Sequence, residues 1–203
     1  AALVGIGAYT TAYITATEQL PSWLAWTHGS PWAALILGVI ITIISAIIVG
    51  GMTLKLSGHY LPLGTIAWGI SLYYFFSTIE SLGGHSGISN IPSVSVFGYA
   101  LDSSNKMYYL IWLILFIAII LTKNLLNSRE GRAIRALNGG QLMAESMGVN
   151  TFRSKLVVFT ISSIFASISG WLYAHNQAFI NPTPFGLQMG IDYLFMALLG
   201  GVG

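Results

Sequence analysis

The stretch Trp32-Ala-Ala-Leu-Ile-Leu-Gly-Val-Ile-Ile-Thr-Ile-Ile-Ser-Ala-Ile-Ile-Val-Gly-Gly-Met-Thr-Leu54 carries no charge from end to end. A helix needs about 20 apolar residues to cross a hydrocarbon layer of about 30 Å, and this run has that length. Its Ile and Val would suit a strand in water but are tolerated on a helix that faces lipid. The whole chain agrees with this reading: 55% of its residues are hydrophobic and 7% are charged, against about 25% charged in an ordinary soluble domain. The expected fold is therefore all-α, a polytopic transmembrane helical bundle forming a single domain over 1–203.

Working outward from that run, the few charges and the Gly/Pro clusters divide the chain into about six spans. Ala1 to Thr17 reads as the tail of a helix that closes at Glu18, and Pro21, His28, Gly29 and Pro31 mark a loop. After Lys55, Gly58 and His59 a third span runs from Leu61 to Ile79, with Pro62 in its first turn and Glu80 at its end. Residues 80 to 106 are rich in Gly, Ser, Asn and Pro, which is turn chemistry in a loop long enough to be functional. A fourth span covers Met107 to Leu126, with Tyr108, Tyr109 and Trp112 as an aromatic belt and Lys123 able to snorkel to the interface. A fifth runs from Leu156 to Ala174. His175, Asn176, Gln177, Asn181, Pro182 and Pro184 read as the next loop, and a sixth span begins near Leu187.

Charge supplies orientation. Six of the eight basic residues lie between Lys123 and Lys155, so the positive-inside rule places that segment in the cytoplasm. Alternation then puts the loops at 18–31, 80–106 and 175–187 outside, and these hold Glu18, Glu80 and Asp102 against a single Lys106. A net charge of +2 with this clustering does not suggest nucleic acid. The chain has no Cys, which excludes disulfides and thiolate metal sites. No His pair has the i, i+4 spacing with a Glu that a zinc hydrolase shows, and no Walker A loop is present, so no catalytic residue, metal ligand or cofactor of its own is assigned.

The basic segment 127–154 is the most informative. Ser128 is placed to cap a helix with Glu130 in its first turn, and Ile134 and Leu137 fall on one face. Asn138-Gly139-Gly140 breaks that helix, after which Leu142, Met143 and Met147 give a second apolar face ending at Gly148. Physics alone favours two amphipathic helices lying on anionic headgroups. The run Gly131-Arg-Ala-Ile-Arg-Ala-Leu, followed by Ala144-Glu-Ser-Met-Gly-Val-Asn and then Lys155, resembles the cytoplasmic loop of branched-chain amino acid ABC permeases of the LivM type. Gly5-Ile-Gly-Ala-Tyr9, Gly83-Gly84 with Gly87-Ile-Ser-Asn-Ile-Pro92, and Gly200-Gly-Val-Gly203 match other segments of that family in the same order.

The resemblance implies a permease subunit in a bacterial inner membrane, with a helix upstream and further helices after Gly203. It implies three kinds of protein partner besides membrane lipid: a second homologous permease, two ATPase subunits that hold ATP and Mg, and an extracytoplasmic substrate-binding protein. The segment from Arg132 to Gly148 would be the coupling element, with Arg132, Arg135, Leu137, Leu142, Ala144, Glu145 and Gly148 carried over as its residues. Where relatives carry charge after Arg-Ala-Leu, this chain has Asn138-Gly139-Gly140-Gln141, which removes charge and loosens the helix. Cargo would be Leu, Ile or Val, or, as in close relatives, urea or another small amide.

Most glycines inside the spans read as sites of close helix packing. Gly83, Gly84 and Gly87, and Gly200 and Gly201, are candidates to line a translocation path with free backbone groups, and Asp192 is a candidate path carboxylate beside its commoner role at an interface. A secondary transporter would need buried carboxylates, for which Asp192 alone is available. His85 and His175 read as solvated loop residues, and His59 as a capping or headgroup contact.

Overall fold

The computed structural model describes residues 1–16, 27, 29–55, 60–96, 99–101 and 103–201. Glu18, Pro21, His28, Gly58, His59, Asp102 and Gly203, to which the sequence assigns roles, lie outside the described residues.

Helices dominate. In chain order they are α1 (Ala2–Ala16), α2 (Pro31–Thr53), α3 (Tyr60–Thr78), α4 (Ser104–Asn127), the short α5 (Arg129–Ala136) and α6 (Gln141–Ser146), α7 (Thr151–Gln177) and α8 (Leu187–Gly200). Among the described residues α2, α4 and α7 are long and apolar enough to cross a membrane. α3 has the length, at 19 residues, but Tyr, Trp, Thr and Ser dilute its apolar character. α1 and α8, at 15 and 14 residues, reach about 22 Å, short of a full crossing. The protein is an all-α polytopic membrane protein, and its hydrophobic surface is large because lipid, not water, is its solvent.

The centre is a tight packing of α1, α2 and α7. Without a hydrophobic drive between helices in lipid, association depends on close approach of small residues. On α2, Ala34, Gly38, Thr42 and Ala46 recur every fourth position and all are buried. On α7, Ser163, Ser167, Gly170 and Ala174 form the matching stripe. A Cβ on Gly7 of α1 would meet the Ser167 backbone at 2.6 Å, and one on Gly170 would overlap the Val4 carbonyl. The helices thus touch backbone to backbone. Most hydroxyls this buries are absorbed locally: Thr11 Oγ1 donates to the Gly7 carbonyl at 2.8 Å, and Thr42 Oγ1 to that of Gly38 at 2.7 Å, while Ser167 Oγ has no partner among the described residues. α3 joins through Phe76, whose ring stacks on Tyr9 at 4.5 Å. α4 stands apart, with Met107 its one buried residue.

The segment 80–101, expected to be turns alone, is more organised than that. A 3-10 turn at Glu80–Leu82 leads to β1 (Ile88–Ser89), and β2 (Ser95–Val96) pairs with β3 (Tyr99–Ala100). β1 pairs antiparallel with β4 (Phe179–Ile180), with Ile88 opposite Ile180. The ladder is only two residues long, but it lays the segment across the end of α7.

Candidate functional site

Two ends of α7 carry the polar chemistry of the protein, and they differ in kind. At the basic end, α4 stops at Asn127 and α5 turns back on it. Ser128 Oγ donates to the Leu125 carbonyl at 2.6 Å and accepts from the Gly131 amide at 3.2 Å, so one side chain ends one helix and starts the next. Any Cβ on Gly131 would overlap the Leu125 and Leu126 carbonyls, which fixes glycine at this corner. Arg135 Nη2 donates to the Leu126 carbonyl at 2.6 Å and to Asn127 Oδ1 at 3.2 Å, placing a cation on the carbonyl end of α4 where the helix dipole favours it.

The α5–α6 break falls where the Gly pair was read: a 3-10 turn at Leu137–Gly139, then Gly140 at φ 107°. Gln141 does not loosen the next helix. Its amide Nε2 donates to Glu145 Oε1 at 3.0 Å and its Oε1 accepts from Lys155 Nζ at 2.9 Å, while Thr151 Oγ1 donates to the same Glu145 oxygen at 2.7 Å. The hydrogen bonds from Thr151 and then Gln141 hold the Glu145 carboxyl below its usual range, with the nearby Lys155 charge adding to the same direction. Gly148, at φ 78°, turns the chain into α7, which Asn150 caps by accepting from the Arg153 amide at 2.9 Å.

The residues expected to couple to a partner therefore divide. Arg135 and Glu145 bond to the adjoining helices α4 and α7, Ala144 is fully buried, and Gly148 makes the turn into α7. Leu137 is half-buried and Arg132 exposed. Leu142, at 82% exposure, points away with its neighbours Met143 and Met147. Met143 and Met147, which the sequence places on one apolar face with Leu142, form the outward surface with it.

At the opposite end His85 is exposed, but His175, expected to be solvated, is not. α7 continues through Gln177, and His175 is buried against Trp171, their ring centroids 5.1 Å apart. This corrects the reading of His175: polar residues after Ala174 suggested a loop, but the last turn of the helix is covered by the 80–101 segment. His175 Nδ1 donates to the Pro92 carbonyl at 2.7 Å, Trp171 Nε1 to that of Pro31 at 2.8 Å, and Trp32 Nε1 to that of Ser95 at 2.9 Å. Gly83 and Gly87, both at φ 79°, pack where a Cβ would overlap the Gly87 and Ile180 carbonyls respectively, so tight backbone packing accounts for them. Gly84 also has positive φ, at 52°. Gly200 closes α8, Gly201 follows at φ 101°, and Asp192 is half-buried in α8.

Between α1, α2 and α3 lies a cavity of about 420 Å³ whose walls include Tyr9, Tyr13, Ile41 and Phe75. The structure therefore offers three polar or hollow features: a hairpin with an outward apolar surface, a clamped opposite end and an apolar cavity.

The comparisons add identity to this geometry. The chain is 28% identical over 196 residues to the high-affinity branched-chain amino acid transport system permease protein LivM of Salmonella typhimurium, a match covering 85% of this chain and 46% of that protein. To LivM of Escherichia coli it is 28% identical over 222 residues, covering 98% and 50%. To LivH of E. coli it is 35% identical over 102 residues, covering 50% and 33%. The chain spans about half the length of the LivM relatives from these two bacteria. No solved structure matches it. The family model described as branched-chain amino acid transport system / permease component matches residues 1–203, from the first helix to the last, and the chain belongs to that family.

Proposed function

We propose that this chain is membrane-spanning permease sequence from an ATP-driven importer that moves branched-chain or related small amino acids inward across a bacterial cytoplasmic membrane. The observation that carries the proposal is the α5–α6 hairpin. Arg135 bonds back to α4, and Gln141 and Glu145 to α7, while Leu142, Met143 and Met147 are left facing outward. An exposed apolar cluster on a braced element is what a protein partner grips, because desolvating such side chains supplies binding energy and the bracing keeps the cost of ordering low. The partner in this reading is an ATPase subunit, one of two that hold ATP and Mg. A second homologous permease completes the pore, and an extracytoplasmic binding protein delivers the substrate. LivM and LivH matches to the same chain support a paired permease.

The test is uptake by the full-length complex in proteoliposomes. Leu142→Asp is expected to lower ATP-dependent uptake by about ten-fold or more while the permeases still assemble, since a central apolar contact is commonly worth about 2 kcal/mol. Uptake that runs on an ion gradient with no ATPase present would overturn the reading.

A further inference from the structure

An open surface groove, of about 470 Å³, sits at the corner where α5 folds back on α4. Lys123 and Arg135 line it together with Asn127, while Ala118, Ile119 and Leu126 form its apolar wall. Its chemistry is one-sided. No carboxylate is among the lining residues, and among the described residues Lys123 has no ion pair or hydrogen bond. Arg135 uses Nη2 on the Leu126 and Asn127 oxygens, which leaves its Nε and Nη1 donors without a protein acceptor among the described residues. Asn127 accepts through Oδ1, so its amide hydrogens are likewise available. The corner thus gathers two cations and an amide donor around an empty volume.

The place of the groove narrows what it takes. Lys123 lies in the last two turns of α4, a helix long and apolar enough to span, so the groove is at the level where lipid headgroups begin. Its apolar wall continues up the exposed side of α4 through Leu115 and Phe116. A free anion would have no use for that wall, whereas an acyl chain would. We infer that this corner binds one anionic phospholipid, its phosphodiester held by Lys123 and Arg135 and its acyl chain laid along α4. Basic pockets at helix ends are the sites by which membrane proteins select anionic headgroups. The lipid would sit on the same Arg135 that bonds to the end of α4, and so would brace the start of the hairpin.

The inference goes beyond the transport reading and is read out without transport, so the two fail separately. The full-length protein in its complex is titrated with phosphatidylglycerol or phosphatidylcholine in detergent, and retained lipid is counted by native mass spectrometry. Phosphatidylglycerol is expected to be retained selectively, and Lys123→Gln to weaken its retention about five-fold, in line with one basic residue at an anionic surface. Lys55→Gln removes an equal charge from another exposed site and is expected to change nothing. Equal retention of the two lipids, or unaltered retention in Lys123→Gln, would overturn the inference. So would full displacement by millimolar inorganic phosphate, because then the headgroup charge alone is recognised.

Discussion

His175 Nδ1 lies 2.7 Å from the carbonyl oxygen of Pro92, and because a carbonyl can only accept, the ring must donate from this nitrogen. That fixes the proton on Nδ1 and leaves Nε2 buried with no partner among the described residues. Replacing His175 by Phe keeps a ring against Trp171 and removes the donor. The Pro92 carbonyl then loses its partner, at a net cost of about 0.5–1.5 kcal/mol. The expected result is faster hydrogen exchange at the Ile91 amide, which bonds to the Ala178 carbonyl beside it, with the exchange of α2 unchanged. Unaltered exchange at Ile91 would show that the pairing of β1 with β4 holds the segment alone.

Glycines in the helices separate into two groups. A Cβ on Gly7 would meet Ser167 backbone atoms at 2.6 and 2.7 Å, whereas one on Gly51 would meet nothing within 4 Å. Gly7→Ala is expected to destabilise by about 1–3 kcal/mol through overpacking. Gly51→Ala is expected to be neutral or to stabilise by up to about 1 kcal/mol, since Ala is the better helix former. Thermal unfolding of the two variants in the same detergent measures the contrast, and a similar loss in both would contradict the packing of α1 on α7.

The Glu145 carboxylate supplies a pH dependence. Its ionised form is favoured in the folded hairpin by the hydrogen bonds from Thr151 and Gln141, so its folded pKa lies below its unfolded one. A depressed carboxylate pKa contributes stability that is present above the unfolded value of about 4.3 and is lost as pH falls through the folded value. Hydrogen-exchange protection of residues 141–155 is therefore expected to hold at neutral pH and to decline in that acid window. Thr151→Val removes the first of these bonds and is expected to move the decline to higher pH, while Glu145→Gln should abolish the dependence. A decline that is the same in Glu145→Gln would assign it to another group.

The spans and the hairpin were legible because their determinants are local. The uncharged run of α2, the Ser128 cap and the Gly139-Gly140 break each act within one helical turn of where they stand. The clamp at the other end was not legible, because strands of two residues have no periodicity and the pairing of Ile88 with Ile180 joins segments far apart in the chain. His175 was misplaced for the same reason: the Pro92 segment buries it, not its neighbours. The packing stripe was half visible. Gly38 and Gly170 are among the span glycines that read as packing sites, but Thr42 and Ser163 look polar in a sequence and belong to the stripe because their hydroxyls bond within their own helices, and Ser167 because its backbone meets Gly7. In the hairpin, Gln141 appeared to be a loss of charge. Its two-sided amide instead joins Glu145 to Lys155, a role that depends on where α7 begins.

α7 is 27 residues long, about 40 Å of unbroken hydrogen-bonded rod. Thr151 and Lys155 near its start are bonded to α6, and Trp171 and His175 near its finish are bonded to Pro31 and Pro92. A hydrogen-bonded helix moves as a unit, so a displacement of one tip along its axis carries to the other. Among the described residues α7 thus joins α6 at one tip to the Pro31 and Pro92 segments at the other, like a tie bar.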